Sequence, residues 1–380
     1  MHLLDWADVA ETDWKACIEQ ALLNGADRRR LEHTHLGKSV GLVFFNDSLR
    51  TRVSMELASA SLGATPITVT PGSGTWGFAW DKKAPMLGAE AEHIQEAVGV
   101  LSRYVDLLGV RLFASGTNWD NDMQDNMLKQ FAAASAVPVL NLESAARHPC
   151  QALADAAVLT RHFAGNPQGK KFVLSWAYHP KALPMAVPNS ALLMAARLGM
   201  NVTVARPDGF ELDPEVMNLA RRSAANMGGS VSESNDLESS AKDAHIIYAK
   251  AWGGKTRYLD PALELVERQA HANWRITPQV MARTIEGQAK FMHCLPVRRG
   301  VVVDNEVLDG PNTLHLDQAE YRLHAQKAIL NWLWERNANP TSPGPANANA
   351  SSPGPAASNA SSASPGSSNA GGSHPADKYQ

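Results

Sequence analysis

The sequence predicts an α/β protein: two doubly wound parallel-sheet domains joined by interdomain helices and followed by a disordered C-terminal tail. Three observations carry this. Short β-rich apolar runs alternate with helix-patterned stretches in two successive series, an amphipathic stretch separates the series, and the composition changes abruptly at Asn337. Strands alternating with helices imply parallel strands covered on both faces.

The first series runs VGLVFF (40–45), a helix from about Thr51, TPITVT (65–70), a helix over about 93–104, VDLLGVR (105–111), a helix over about 125–133 and VPVLNL (137–142). RHPCQALADAAVLTRHF (147–163) is the amphipathic connector, which puts the domain boundary near 150/151. The second series runs KKFVLSW (170–176), a helix through NSALLMAARLG, NVTVAR (201–206), a helix from Pro214, AHIIYAK (244–250) and KFMHCLP (290–296). A last helix, about 318–335, is expected to pack back on the first domain. The domains are therefore 1–150 and 151–336. Beyond them, residues 337–380 are rich in Asn, Ala, Ser, Pro and Gly, with Asp377 and Lys378 as the only formally charged side chains. Such a segment buries too little apolar surface to offset its ordering entropy.

The chain has 380 residues, 44% of them hydrophobic, enough for two cores. With 35 basic and 38 acidic residues the formal charge is −3, without the clustered basic excess that nucleic acid or an anionic membrane selects. Cys17, Cys150 and Cys294 are three and widely spaced, which fits a reducing compartment better than a disulfide framework or a metal site. No apolar run approaches the roughly 18 residues of a membrane span, and the N-terminus lacks a signal-peptide pattern. A cytoplasmic protein with a small-molecule partner is expected. There is no P-loop and no G-x-G-x-x-G.

In open α/β sheets, ligands bind beyond the carboxyl ends of strands, where helix N-termini offer free N–H groups. NDSLRTR (46–52) follows the first strand and sets Arg50, Thr51 and Arg52 in a helix's first turn, where the helix dipole favours acids over bases. The segment reads equally as an ordinary cap, with Ser48 as N-cap and two surface arginines, or as an anion site. Arg111 ends the third strand, and His148 and Gln151 start the helix after the fourth. Lys250 ends a strand of the second domain, HCLPVRRG (293–300) follows another and brings Cys294, Arg298 and Arg299, and Arg322 lies near the start of the last helix. Together these donors suit a phosphate and an adjacent carbonyl.

SLRTR, GVR, HPCQ and HCLPVRR, in this order and at these strand ends, resemble the aspartate/ornithine carbamoyltransferase family over residues 38–335. The resemblance implies a carbamoyl-phosphate domain, an acceptor domain, and a homotrimer with active sites shared between subunits. Ser48, Leu49, Arg50 and Thr51 would cradle the phosphate. Arg111, His148 and Gln151 would hold the carbamoyl oxygen and nitrogen, with Cys294, Leu295 and Arg322 completing the pocket and Arg52 serving as support. Arg111, His148, Gln151 and Cys294 form the implied catalytic set. No cofactor and no metal is implied: a neutral amine attacks the carbonyl carbon and phosphate leaves, so positioning and electrostatics supply the rate.

The SMG stretch expected of enzymes using free ornithine is absent. GTW (74–76), EAEHI (90–94), HPKALPMAVPNS (179–190) and YAKAW (248–252) instead resemble the enzymes acting on N-acylated ornithine. Trp76 would reach into a neighbouring subunit's site, while Glu92 and His93 would be loop structure. The N-acetyl type is expected to have Glu where this chain has Ala91, Asn where it has Pro184, and a modified Lys where it has Val302. A Glu would repel a succinyl carboxylate, whereas a small neutral Ala leaves it room. The resemblance thus favours N-succinylornithine as acceptor, with N-acetylornithine as the alternative and a non-catalytic paralogue as the remote one. Lys250 and Arg298 are candidates for a substrate carboxylate, Glu143 for orienting the acceptor or the arginines, and His179 and Asn189 for lining the acceptor side.

Because nothing in residues 337–380 carries chemistry, their removal is expected to leave turnover intact. A steady-state assay of the truncated chain that loses more than half its rate would contradict this.

Overall fold

A four-stranded and a five-stranded parallel sheet make up the core of the computed structural model, which describes residues 1–338. β1 (Ser39–Phe44) and β2 (Thr65–Val69) are followed by a two-residue ladder of β3 (Phe78–Ala79) and β4 (Glu92–His93), then by β5 (Leu107–Arg111) and β6 (Val139–Glu143). The first sheet has the order β2-β1-β5-β6. The second, in the order β11-β10-β7-β8-β9, contains β7 (Lys171–Trp176), β8 (Asn201–Ala205), β9 (Ser230–Ser234), β10 (Ile246–Lys250) and β11 (Lys290–Met292). Every paired neighbour is parallel.

The central strands are legible because both their faces are covered. β5 and β10 are buried at every position, and β1 and β7 at all but the first. The edge strand β9, SVSES, is largely exposed and has no apolar run, so the sequence reading passes over it. Glu92 and His93, expected as loop, form β4. His93 also caps the helix Ile94–Tyr104, its Nδ1 accepting from the Gln95 N–H at 3.2 Å.

The connector, helix Pro149–His162, differs in character from the expected amphipathic stretch. Every residue from Pro149 to Leu159 is buried, because the helices Glu11–Ala26, Ala186–Arg197 and His315–Ala338 all pack against it. The N-terminal helix Glu11–Ala26 buries Trp14, Cys17, Ile18 and Ala21, a helical spacing that a strand-first reading overlooks. The C-terminal helix His315–Ala338 is longer than expected at both ends. It lies against the helices Glu11–Ala26, Leu49–Ser61 and Pro149–His162, on the side of the first sheet. Asn337, placed in the tail by composition, still belongs to this helix and accepts a hydrogen bond from the Met1 amino group at 2.7 Å. From Asn339 onward the expected disordered tail lies outside the described residues. Among the described residues, no helix is long and apolar enough to cross a membrane.

Candidate active site

In each sheet the chain order reverses between two adjacent strands, β1 and β5 in the first and β7 and β10 in the second. Such switch points open a crevice at the strand ends. The paired terminal residues there are Phe44 with Arg111, and Trp176 with Lys250. A cavity of about 690 Å³ lies between the two sets of strand ends, lined by residues of both sheets and of the C-terminal helix.

On the first-sheet side the Ser48 hydroxyl accepts from the Thr51 N–H at 3.2 Å, capping the helix Leu49–Ser61. The first N–H groups of that helix have no intrahelical partner, and no acid occupies its first turn. Ser48, Leu49, Arg50 and Thr51 all line the cavity, while Arg52 turns outward to Glu56. Arg322, reaching in from the C-terminal helix, donates to Gln151 Oε1 at 2.9 Å and to Thr51 Oγ1 at 3.0 Å. Arg111 is ion-paired with Glu143 and stacks over the Phe113 ring, 4.4 Å from its centroid. Nε of Arg50, Arg111 and Arg322 is in each case buried with no protein partner. Three guanidiniums with unspent donors, against Glu143 and Asp47 as the lining carboxylates, make a site that wants an anion.

The neutral groups of this half are neutral for stated reasons. Burial, then the charges of Arg322, Arg111 and Arg50, holds His148 well below the usual imidazole range. Glu143 Oε2 lies 3.4 Å from its Nε2 and favours the N–H there. Burial pushes the Cys294 thiol up, so it meets a ligand as a weak S–H donor and not as a thiolate nucleophile. Leu295 is held in the left-handed region at φ 56°, a strained conformation for this residue type at the cavity wall.

Gln151 is less free than the motif implies. Its Oε1 accepts from an Arg322 N–H and one Nε2 hydrogen is donated to Asp155 Oδ1 at 2.8 Å, leaving one Oε1 lone pair and one Nε2 hydrogen. Asp155, absent from the sequence-derived set, is a hub. It also accepts from Gln318 Nε2 at 2.7 Å and from the Tyr248 hydroxyl at 2.9 Å. Gln318 Oε1 in turn accepts from the His293 N–H at 2.9 Å, beside Cys294. Burial raises the Asp155 pKa to about 6 although three donors oppose the shift. Only the four-residue spacing of Gln151 and Asp155 hints at this in the sequence.

The second-sheet side supplies Lys250, Arg298, His179 and Pro184, with Leu183 and Val187 as apolar walls that the sequence reading missed. Lys250 is buried and donates to the Ala251 carbonyl at 3.0 Å; Arg298 donates through Nε to His179 Nε2 at 2.9 Å. Neither pairs with a carboxylate among the described residues. Arg299 instead forks onto Asp309, at 2.7 and 2.8 Å, outside the cavity lining.

Three expected residues lie elsewhere. Asn189 does not line the acceptor side: it is buried in the helix Ala186–Arg197 and donates to the Ala146 carbonyl at 3.2 Å, holding the turn before His148. Trp76 is 57% exposed, with its indole N–H on Glu92 Oε2 at 2.8 Å, and Ala91 is exposed on the same segment. Neither lines the cavity of its own chain. Val302, where a modified Lys was the alternative, is buried in the apolar core beside the second sheet.

Residues 1–161 match the family model described as aspartate/ornithine carbamoyltransferase, carbamoyl-P binding domain, and residues 185–333 match its Asp/Orn binding domain. The N-acetylornithine carbamoyltransferase of Xanthomonas campestris pv. campestris is 42% identical over 332 residues, 87% of this chain and 96% of the relative. The N-succinylornithine carbamoyltransferase of Bacteroides fragilis is 32% identical over 323 residues, 85% of this chain and 96% of the relative. A solved Glu→Ala variant of N-acetyl-L-ornithine transcarbamylase, complexed with carbamyl phosphate and N-succinyl-L-norvaline, superposes with a TM-score of 0.84 at 41% identity, covering 88% of this chain and 99% of that one.

The hub predicts a contrast between two substitutions. Asp155→Ala leaves three buried donors without an acceptor and is expected to cost on the order of 3 kcal/mol of stability and at least tenfold in turnover. Asp155→Asn can keep its oxygen toward the two glutamines, because the Tyr248 hydroxyl can turn to accept from the new amide; it should stay close to wild type in melting temperature. Equal damage in both variants, read by calorimetry and rate, would contradict the hub.

Proposed function

The chain belongs to the aspartate/ornithine carbamoyltransferase family, and on that premise we propose that it transfers the carbamoyl group of carbamoyl phosphate to the side-chain amine of N-succinyl-L-ornithine, giving N-succinyl-L-citrulline and phosphate in arginine biosynthesis. The cationic cavity between two strand-end crevices carries this reading. Its first half collects Arg50, Arg111 and Arg322, and its second half offers Lys250 and Arg298, one half for a phosphate and the other for a carboxylate.

In this mechanism the helix start at Ser48, Leu49, Arg50 and Thr51 receives the phosphate. Arg111 polarises the carbamoyl oxygen beside the neutral His148, whose N–H faces Glu143, and the remaining Gln151 Oε1 lone pair accepts from the carbamoyl N–H₂. The Cys294 thiol and the turn at Leu295 close the far wall. The acceptor amine enters neutral, attacks the carbonyl carbon and forms a tetrahedral oxyanion that meets donors already fixed by Glu143 and Asp155. Collapse breaks the C–O bond and expels phosphate, which takes up the proton lost by the attacking amine and whose charge Arg50 and Arg322 balance.

The choice of succinyl rests on Ala91 and Pro184, which leave neutral space where the resemblance places Glu and Asn in the N-acetyl type. Val302 likewise supplies no Lys. An N-acetyl-L-ornithine transcarbamylase with one Glu replaced by Ala, Pro or Ser holds N-succinyl-L-norvaline, and this chain carries Ala where a Glu is otherwise expected. The second reading, N-acetylornithine as acceptor, is favoured by the 42% identity to an N-acetylornithine enzyme against 32% to an N-succinylornithine enzyme.

Ala91 and Trp76 can act only if another subunit presents them, so the proposal includes a homotrimer with shared sites. Leu49, Val53 and Leu57 form an exposed apolar stripe on the helix that starts at the cavity, and Trp76 and Leu87 are exposed on the same domain; a subunit contact would cover them. The proposal places the enzyme in the cytoplasm, in keeping with its three free cysteines.

Turnover with N-succinylornithine, N-acetylornithine and free ornithine, measured side by side, is expected to favour the succinyl compound. A preference for acetyl would keep the chemistry and overturn the acyl assignment; no turnover with any would overturn the reaction. Ala91→Glu is expected to move the ratio of kcat/KM values toward N-acetylornithine by about tenfold or more, and an unchanged ratio would remove Ala91 from the acceptor pocket.

A further inference from the structure

The His179 imidazole lies between a backbone carbonyl and the Arg298 side chain. Its Nδ1 lies 2.9 Å from the Lys181 carbonyl oxygen and 3.0 Å from the Lys181 amide nitrogen, and its Nε2 is 2.9 Å from Arg298 Nε, the donor of that pair. Because the Arg298 Nε–H donates to it, Nε2 holds a lone pair, and the neutral ring then carries its one N–H on Nδ1, toward the Lys181 carbonyl. With Nε spent on His179, the two terminal nitrogens of Arg298 are the donors left for the cavity, and they form the planar fork that matches a carboxylate.

We propose that His179 is a positioning residue for the acceptor: by accepting from Arg298 Nε it aims the guanidinium fork at the carboxylate that the N-acylornithine carries. The inference rests on the N-acylornithine reading above and adds to it the residue that orients the grip. His179 touches no reacting atom. The groups facing it are Arg298 from the turn after β11, Lys250 from the end of β10, Arg268 from the helix Pro261–Ala270 and His293 from the end of β11. Arg268 is spoken for by Glu264, at 3.0 Å. No carboxylate among the described residues forms an ion pair with His179, and only the Lys181 carbonyl favours its protonation. Burial and these cations hold its pKa below the ordinary imidazole value. Below that range a proton on Nε2 would confront the Arg298 N–H and turn the fork away.

The test uses full-length protein saturated with carbamoyl phosphate and the probes N-succinyl-L-norvaline and N-acetyl-L-norvaline, which lack the side-chain amine and so contribute no amine titration. At pH 7.5, His179→Ala is expected to weaken both probes about tenfold, with carbamoyl phosphate affinity and Tm unchanged. His179→Gln, which keeps an acceptor oxygen near Nε2 but cannot titrate, should restore binding to within about threefold of wild type. Wild-type affinity should fall as pH drops below the ordinary imidazole range, while that of His179→Gln stays flat. Unchanged probe binding in His179→Ala, equal loss in both variants, a parallel loss of carbamoyl phosphate affinity, or a wild-type pH profile that His179→Gln shares would each overturn the inference. If wild type binds neither probe, the acceptor reading itself fails; if it binds them and His179→Ala binds equally well, only the role of His179 falls.

Discussion

Arg322 is the constraint on which the cavity depends. One guanidinium from the C-terminal helix bonds Gln151 on the connector helix and Thr51 on the helix that follows β1, so three helices remote in sequence meet on one planar group. Burying a cation is costly unless its donors are satisfied. The protein satisfies the two terminal nitrogens and leaves Nε without a partner, beside two further arginines whose Nε groups are likewise unspent. Burial lowers the pKa of both Arg322 and Arg50. A site that concentrates positive charge in this way is stabilised when an anion enters, and the same concentration of donors serves the charge that develops in acyl transfer.

Asp155 is the counterweight. Its carboxylate fixes which way the Gln151 and Gln318 amides face, and through Gln318 it fixes the backbone beside Cys294. The connector helix, β10, β11 and the C-terminal helix are thus tied to one buried group. The connector helix can hold it because its neighbours cover it on every side. A surface connector would leave the carboxylate solvated and its partners free to flip. The fixed orientation of these amides on the first-sheet side of the cavity follows from this burial. The second-sheet side is built more loosely, from Lys250, Arg298 and the half-buried His179.

Much of the site is legible in the sequence because parallel strands buried on both faces are apolar runs, and each run ends where polar residues begin. Arg50 after β1, Arg111 at the end of β5, Lys250 at the end of β10 and Cys294 after β11 stand out for that reason. Legibility fails where the signal is not local. Asn189 resembles a pocket residue by its neighbours in sequence, yet its side chain serves the Ala146 carbonyl. β9 has too few apolar residues to register, since an edge strand need not be buried on both faces. Phe113, Leu183 and Val187 follow strand ends or motifs and carry no chemistry that would single them out.

By itself the sequence determined the order of the buried central strands and of the helices between them, the placement of cationic residues at strand ends, and the compositional break at the end of the last helix. These depend on periodicity, apolar runs and turn residues within a few positions of one another. Only the tertiary structure decided that the two switch points face one cavity, that Arg322 and Asp155 hold it, and that Ala91 falls outside the cavity of its own chain. Those outcomes depend on contacts between segments more than a hundred residues apart, such as Thr51 with Arg322, and on burial that lowers the pKa of His148 and raises that of Asp155. Hydrophobic pattern specifies which face of a segment is covered, but not by which partner.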